Sequence, residues 1–220
     1  HTSYDAPILE RLQTVGGDVL VFDGANFGYV AQSAPAAVVH AVYNRDVPGA
    51  PRYTATECAV TTRNTRIECT LAPGVGADLR WELEIDGGDR IPFAEGAHPL
   101  VSFAPPRIAG LSGMGATDGS TAGGSIVSLT GAGFGPPRLL ETESSVEYAQ
   151  SPGEEVAPRK MVTACNVESD AVMLCTTASG TGIGYRWRIR SIGGQDSPWT
   201  TGEATTKYAR PVVVNFLGPG

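Results

Sequence analysis

The chain has 220 residues, 41% of them hydrophobic, which is enough for one large domain or two ordinary ones with buried cores. Its 28 glycines and 16 prolines argue against long helices, and no apolar run approaches the roughly 18 residues of a membrane span. A net charge of −7 argues against a nucleic-acid-binding surface, because such a surface needs basic residues to neutralise phosphates.

Short β-rich runs separated by turn residues follow one another along the chain. Residues 19–22 form the first apolar run and residues 38–43 form the next. Residues 81–85 and 185–190 then alternate apolar with charged side chains. A period of two predicts strands with one buried and one solvated face, as in an antiparallel β-sandwich.

One pattern occurs twice in the sequence. The glycine-rich stretch 17–28 matches the stretch 124–135 at an offset of 107 residues. Three later residues also have matches. Cys58 matches Cys165 at an offset of 107, whereas Cys69 matches Cys175 and Trp81 matches Trp187 at an offset of 106. One residue is therefore missing between the cysteines of the second copy. The pattern predicts tandem copies of one fold.

A similar proline-containing start precedes each copy, at residues 4–7, 103–106 and 208–211. We therefore predict one domain at residues 1–102 and a second at 103–207, each of the size of a single sandwich. Residues 208–220 are predicted to be the first strand of a third, truncated copy. The chain would then be a segment of a longer array, with short proline-containing junctions that restrict bending.

The four cysteines fall as one pair in each copy. Each pair brackets a polar turn, so its two members can face each other across neighbouring strands. We predict the disulfides Cys58–Cys69 and Cys165–Cys175.

Free thiols or a metal site are the alternatives for these cysteines. Structural zinc would need closely spaced cysteines or partner histidines, and the histidines are scattered at His1, His40 and His98. No metal site and no cofactor are predicted. Persistent disulfides indicate an oxidising compartment, so we expect an extracellular or cell-surface protein.

The start of each copy resembles an IPT/TIG domain. The resemblance lies in a proline-led first strand followed by glycines, an apolar run and Gly-x-x-Phe-Gly, here residues 24–28 (the second copy has Gly-x-Gly-Phe-Gly at 131–135). The later stretches 66–69 and 173–175, each ending in a cysteine, match as well. The resemblance covers nearly the whole chain and implies an all-β fold of tandem immunoglobulin-like β-sandwiches, each with one intradomain disulfide.

Two departures from the family pattern fall in connections. The second copy carries a Gly/Ser-rich insert at residues 113–123, where the first has only the connection 14–16. The second copy also lacks the proline that the first has at Pro73. Extracellular tandem copies in this family form stalks or contact partners, whereas intracellular single copies bind DNA; the disulfides and the acidic balance favour the first use.

A search for catalytic groups finds none in a productive context. The spaced glycines at 131–135 precede two prolines rather than a helix, so they indicate a turn and not a phosphate-binding loop. The serines of the Gly-rich stretches lack the strand–elbow–helix setting of a hydrolase nucleophile. We expect that the chain is not an enzyme.

Two charged strand faces are candidates for contacts. The first copy carries an acidic run, Asp78, Glu82, Glu84, Asp86 and Asp89. The second carries Arg186, Arg188 and Arg190 at alternate positions, followed by Trp199. The simple interpretation is two solvated faces; lateral pairing between molecules is the alternative. Trp199 is either an exposed contact or a cover for the end of the sandwich.

We therefore expect a non-catalytic extracellular structural or adhesive segment of a longer tandem-repeat surface protein. It would act as a stalk and scaffold whose partners are other proteins, either neighbouring domains of the array or a surface assembly. No nucleic acid and no membrane insertion of this segment are expected. The alternatives are a ligand-binding receptor ectodomain module, with residues 136–160 making the contact, and an accessory carbohydrate-binding domain of a secreted enzyme.

Overall fold

The structure, a computed structural model, describes residues 12–28, 30, 38–45, 50, 52–86, 91, 100–139, 145–150, 159–162, 164–215 and 218. The predicted start of the first copy at residues 4–7 lies outside these ranges, as do His1, Asp89 and His98. The fold is all-β, as predicted, and its sheets are antiparallel. In the described ranges, the single α-helix is α1 (Met114–Thr117), and no helix is both long and apolar enough to cross a membrane.

The chain divides into two compact units. Unit 1 comprises His1–Pro105 with Ile192–Gln195, and unit 2 comprises Pro106–Ser191 with Asp196–Gly220. Unit 1 contains two three-stranded sheets, with the orders β1-β5-β4 and β3-β2-β6. Their strands are β1 (Val19–Asp23), β2 (Val39–Asn44), β3 (Arg52–Thr54), β4 (Thr56–Thr62), β5 (Arg66–Thr70) and β6 (Arg80–Ile85).

Unit 2 contains a five-stranded sheet of order β7-β8-β13-β12-β9 and a four-stranded sheet of order β11-β10-β14-β15. The strands of the larger sheet are β7 (Arg107–Ser112), β8 (Ile126–Ala132), β9 (Arg138–Leu139), β12 (Ala164–Ser169) and β13 (Val172–Thr176). Those of the smaller sheet are β10 (Ser145–Ala149), β11 (Lys160–Met161), β14 (Ile183–Arg190) and β15 (Thr206–Lys207).

Equivalent strands pair in the same register in the two units. Val19 of β1 lies opposite Thr70 of β5, and Ile126 of β8 lies opposite Thr176 of β13, so the offsets of 107 and 106 persist through both ladders. The missing residue falls in a hairpin turn. Residues 63–65 join the paired ends of β4 and β5, whereas only residues 170–171 join those of β12 and β13.

The Gly/Ser-rich stretch at residues 113–123 is not an insert throughout, so that prediction was partly wrong. Equivalent N–H groups donate to equivalent carbonyls in the two units. The N–H of Leu12 donates to the carbonyl of Ser102, as that of Gly119 does to Lys207. The N–H of Gly17 donates to the carbonyl of Leu71, as that of Gly124 does to Thr177. Residues 119–124 therefore occupy the place of residues 12–17. The rest of the stretch, residues 113–118 with α1, corresponds at the same offset to residues 6–11, which lie outside the described residues.

The core of unit 1 combines inward side chains from both of its sheets. Phe22 and Ile67 come from one sheet, and Ala41 and Leu83 come from the other. Burial of these apolar side chains contributes about 25 cal/mol per Å² of apolar surface removed from water, which is the main stabilising contribution to this core.

A tyrosine packs on the buried tryptophan of each unit. The ring centres of Tyr43 and Trp81 are 4.4 Å apart, and those of Tyr148 and Trp187 are 4.5 Å apart. Both tryptophans are buried, as the matched positions predicted. The tyrosines were not singled out from the sequence, although each lies directly opposite its tryptophan on a neighbouring strand.

The tyrosine of unit 2 belongs to a buried hydroxyl pair. The Tyr148 and Tyr208 hydroxyl oxygens are 2.7 Å apart, and Tyr208 donates to the carbonyl of Ala178 at 2.8 Å. Burial raises the pKa of both phenols above their ordinary value. The pair therefore stays uncharged at neutral pH and ties the start of the third predicted copy to the body of unit 2.

The residues after Tyr208 form no strand in the described range. Val212, Val213 and Val214 are 80%, 83% and 93% exposed. Phe216, which completes the predicted strand, lies outside the described residues.

Candidate interaction surface

Both predicted disulfides are present, and the described residues include no free cysteine. Cys165 and Cys175 are direct cross-strand partners on β12 and β13, with Cα atoms 4.1 Å apart. Each bond therefore links neighbouring strands within one sheet of one unit, on either side of a hairpin turn.

A bulge in β4 lies directly beside the Cys58–Cys69 disulfide. The register of β4 on β5 shifts between Thr56 and Ala59, so two residues of β4 face one residue of β5. The extra residue is Glu57, which takes a left-handed backbone conformation with φ of 51°. The bulge lies outside the interval between the two cysteines, so the separation of 11 residues rather than 10 comes from the longer hairpin turn between β4 and β5.

The alternation predicted for β14 is confirmed by burial. Its inward side chains are those of Tyr185, Trp187 and Ile189. Arg186, Arg188 and Arg190 therefore share the opposite face of the sheet. Their surroundings differ, since the side chain of Arg188 is only 17% exposed, whereas that of Arg190 is 44% exposed and Arg186 is open to solvent.

A buried carboxylate accounts for the enclosure of Arg188. Glu147 of β10 lies directly opposite Arg188, and its side chain is only 5% exposed. The Nε atom of Arg188 donates to Oε1 of Glu147, and Nη1 of Arg159 lies 3.8 Å from the same oxygen. Because a buried carboxylate without partners is strongly destabilising, these two guanidinium groups offset the cost of enclosing Glu147 there.

Trp199 packs against the same guanidinium group. The Cζ atom of Arg188 lies 4.6 Å from the centre of the indole ring. This is the geometry of a cation–π contact, which contributes more when the cation is shielded from water. Trp199 is partly buried, and its role as an exposed contact or as a cover for the end of the sandwich stays a prediction.

The segment around Trp199 is held against the edge of β14 by reciprocal hydrogen bonds. Ser197 donates its N–H to the carbonyl of Ile189, and Ile189 donates its N–H to the Ser197 hydroxyl. Thr200 and Trp187 make the same pair of bonds. The residue between Ile189 and Trp187 is Arg188, so Trp199 is fixed beside the arginine that it covers.

The structure thus gathers Arg188 and Trp199 into one cluster, with Arg186 and Arg190 along the same strand. The Nε atom of Arg190 lies 3.5 Å from Asp196, in a pair that is about half exposed. Exposed pairs of this kind contribute little. The face therefore presents three accessible arginine side chains, those of Arg159, Arg186 and Arg190, around a shielded centre.

The equivalent face of unit 1 carries an ion pair in which the positions of the acidic and basic residues are exchanged. Glu82 of β6 occupies the place of Arg188, and it accepts a hydrogen bond of 2.8 Å from Arg52. Its side chain is 32% exposed, in contrast to the enclosed Glu147. If the acidic face of one molecule paired with the arginine face of another, those contacts would have to compete with the ion pairs that each unit already forms.

Sequence reasoning missed Glu147, Arg159, Ser197 and Thr200. Glu147 gave no signal of burial, because it alternates with Val146 and Tyr148 as an outward residue of a strand does. The two hydroxyl residues gave no signal, because their bonds to β14 depend on a turn that a local pattern does not specify. Within the described ranges, no three His, Cys, Asp or Glu side chains converge in a way that could hold a metal ion.

Replacing Glu147 by alanine should destabilise unit 2 by about 2–4 kcal/mol, because it leaves the enclosed Arg188 without its carboxylate. Urea denaturation of the full chain, followed by tryptophan fluorescence, measures the loss. The matched control is Glu82→Ala, which breaks a more exposed pair and should cost less than about 1 kcal/mol. Equal losses for the two variants would contradict the assignment of Glu147 as a buried, doubly paired carboxylate.

No known protein-family model matches the chain, and no curated protein matches its sequence. Structural similarity extends to a crystal structure of pullulanase from Anoxybacillus sp. LM18-11 and to one of pullulanase complexed with maltotriose from the same source. The sequence identities are 10% and 12%, and both TM-scores are 0.30. The likeness covers 96% of this chain but only 28% and 29% of the pullulanase chains, and at this TM-score it carries no argument about fold or function.

Proposed function

We propose that this chain is a non-catalytic, extracellular structural segment of a longer surface protein, built of tandem immunoglobulin-like β-sandwiches of the IPT/TIG type. The proposed domains span residues 1–102 and 103–207, and residues 208–220 begin a third copy. The segment acts as a stalk and as a scaffold for contacts with other proteins.

The observation that supports this proposal most strongly is the equivalence of the two ladders. β1 with β5, and β8 with β13, pair in one register over five residues each, and a disulfide lies at the equivalent place in each unit. Two sheets that share one core, in a unit of about a hundred residues, are what a sandwich of this class requires. Repetition of one such unit is the construction expected of a spacer.

The disulfides support an extracellular setting. Both bonds lie in a chain whose described cysteines are all paired, which is typical of proteins that mature in an oxidising compartment.

The arginine and tryptophan cluster supports the scaffold part of the proposal. Of the three tryptophans, two are buried and the third carries Arg188 on its ring. The tryptophans therefore offer little open ring surface for a sugar, which favours protein contacts over the carbohydrate-binding alternative. Acidic protein surfaces are the class of partner that Arg159, Arg186 and Arg190 would attract.

Surface accessibility on the cells that naturally produce the protein tests the proposal. A membrane-impermeant amine or carboxyl label should modify the chain on intact cells, and thiol titration should find all four cysteines oxidised in material taken directly from them. Protection from the label until the cells are lysed, together with reduced cysteines, would overturn the extracellular assignment.

A further inference from the structure

In unit 1, a single residue joins an early segment of the unit to its last segment by backbone hydrogen bonds. Leu12 donates its N–H to the carbonyl of Ser102 at 3.0 Å, and its own carbonyl accepts the N–H of Ala104 at 2.9 Å. The residue between these two partners is Phe103, and its pairing with Leu12 is parallel. This contact therefore closes residues 12–104 into a loop.

Unit 2 contains the same contact. Gly119 donates its N–H to the carbonyl of Lys207 at 3.1 Å, and its carbonyl accepts the N–H of Ala209 at 2.8 Å. Its pairing with Tyr208 is also parallel. Because glycine here replaces the leucine of unit 1, the two contacts depend on the course of the backbone and not on the side chain at that position. We call them the end contacts.

A buried aromatic ring lies between the two hydrogen bonds of each end contact. Phe103 is fully buried, and its ring centre lies 6.0 Å from that of Tyr53. Tyr208 is only 5% exposed, and its hydroxyl oxygen lies 2.7 Å from that of Tyr148. The last segment of each unit therefore cannot slide past the early segment unless this ring leaves the core.

The early segment of each unit is also held two residues beyond the end contact. Thr14 accepts the N–H of Gly74 at its carbonyl in unit 1, and Thr121 accepts the N–H of Gly180 in the same way in unit 2. The early segment is therefore fixed to its unit at more than one residue, and the end contact does not fray from its inner side.

The parallel direction of the pairing decides how an end contact responds to tension. In parallel segments, the chain before Leu12 and the chain after Ala104 leave the pair at opposite ends. Tension along the chain therefore pulls the two segments in opposite directions along their common axis. Both hydrogen bonds are then stretched together, whereas the bonds of an antiparallel pair pulled from one end open one after another.

We propose that the end contacts are mechanical clamps, which carry tension along the chain and shield the strands inside each loop from it. While an end contact is intact, tension passes directly from the early segment to the last segment of the unit. The strands inside the loop are stretched only after the contact has broken. The biological meaning of the clamps rests on the proposed stalk function, to which they add the place where each unit resists extension.

Unfolding of the full chain at constant force tests the proposal in unit 2. Azide-bearing residues that replace Asp118 and Arg210, both exposed and directly beside the end contact, serve as attachment points and leave the disulfides intact. Ala209→Pro then removes one of the two hydrogen bonds. We expect its unfolding rate to rise at least about fivefold, the factor that corresponds to a net hydrogen bond of about 1 kcal/mol.

The matched control is Val162→Pro, which removes the bond of 3.0 Å from the Val162 N–H to the carbonyl of Val146, inside the loop. It should lower the stability of unit 2 in urea about as much as Ala209→Pro does. Its unfolding rate at constant force should stay within about twofold of the unaltered rate, because this bond is still formed when the clamp breaks. Equal increases for the two variants would overturn the proposal, as would an unchanged rate for Ala209→Pro.

A second pair of attachment points tests the direction of pulling without a proline. Ser145 and Arg190 lie directly opposite each other on the antiparallel strands β10 and β14, so pulling on them opens that ladder one bond at a time. At the same force, this opening should be at least about tenfold faster than unfolding from Asp118 and Arg210. Equal rates would overturn the proposal. Failure of either experiment would leave surface exposure and paired cysteines, the tests of the proposed function, unaffected.

Discussion

Trp187→Ala is expected to lower the free energy of unfolding of unit 2 by about 3–5 kcal/mol, the cost of removing a large aromatic side chain from a closed core. Trp187 is fully buried, stacks on Tyr148 at 4.5 Å and donates its indole N–H to the Thr206 hydroxyl at 2.9 Å. Truncation therefore leaves a cavity and an unsatisfied hydroxyl together. Urea unfolding of the full chain measures the loss as a shift of one of its two transitions.

A milder change at the two matched positions separates the packing and hydrogen-bonding contributions. The indole N–H of Trp81 is buried and has no acceptor among the described residues, whereas that of Trp187 is bonded to Thr206. Trp187→Phe should therefore cost about 1 kcal/mol more than Trp81→Phe, the usual net value of a buried hydrogen bond. A larger loss for Trp81→Phe would contradict this account of the two cores.

Removing a disulfide by paired alanine substitutions is expected to destabilise its own unit by about 2–3 kcal/mol, because a loop of roughly ten residues is no longer closed in the unfolded chain. The pairs are Cys58→Ala with Cys69→Ala, and Cys165→Ala with Cys175→Ala. Their sequence separations are 11 and 10, so the two losses should be nearly equal. Calorimetry of the full chain measures both.

Each paired variant serves as the control for the other. The first should move only the transition of unit 1, and the second only that of unit 2, since each bond lies within one sheet. A paired substitution that moves both transitions equally would show that the units do not unfold independently. A loss well under 1 kcal/mol would show that the bonds add little beyond the ladders.

The sequence was sufficient for features that depend on local order along the chain. Cysteine pairing and the alternation of β14 follow from residue spacing, because a strand sends successive side chains to opposite faces. The matched tryptophans are buried for the same reason, since equal spacing from the paired strands places them on the same face.

Features that depend on residues far apart in sequence were beyond that reasoning. Glu147 is stabilised by Arg188, 41 residues away, and a spacing pattern contains no information about that encounter. Most of the stretch 119–124 was predicted to belong to an insert, because the proline-containing starts of the two copies were taken as equivalent points of the sequence. Its equivalence with residues 12–17 rests on backbone bonds to the end of each unit, which only the folded chain reveals.

Mechanical stretching of the full chain tests the proposed stalk most directly, because it requires two equivalent units that are each stable on their own. We predict two unfolding events, each with a contour gain shortened by the residues that its disulfide encloses. Reduction should lengthen the gains by about 40 Å and 36 Å, for separations of 11 and 10 residues at about 3.6 Å per residue. A single unfolding event, or gains that reduction leaves unchanged, would contradict the claim.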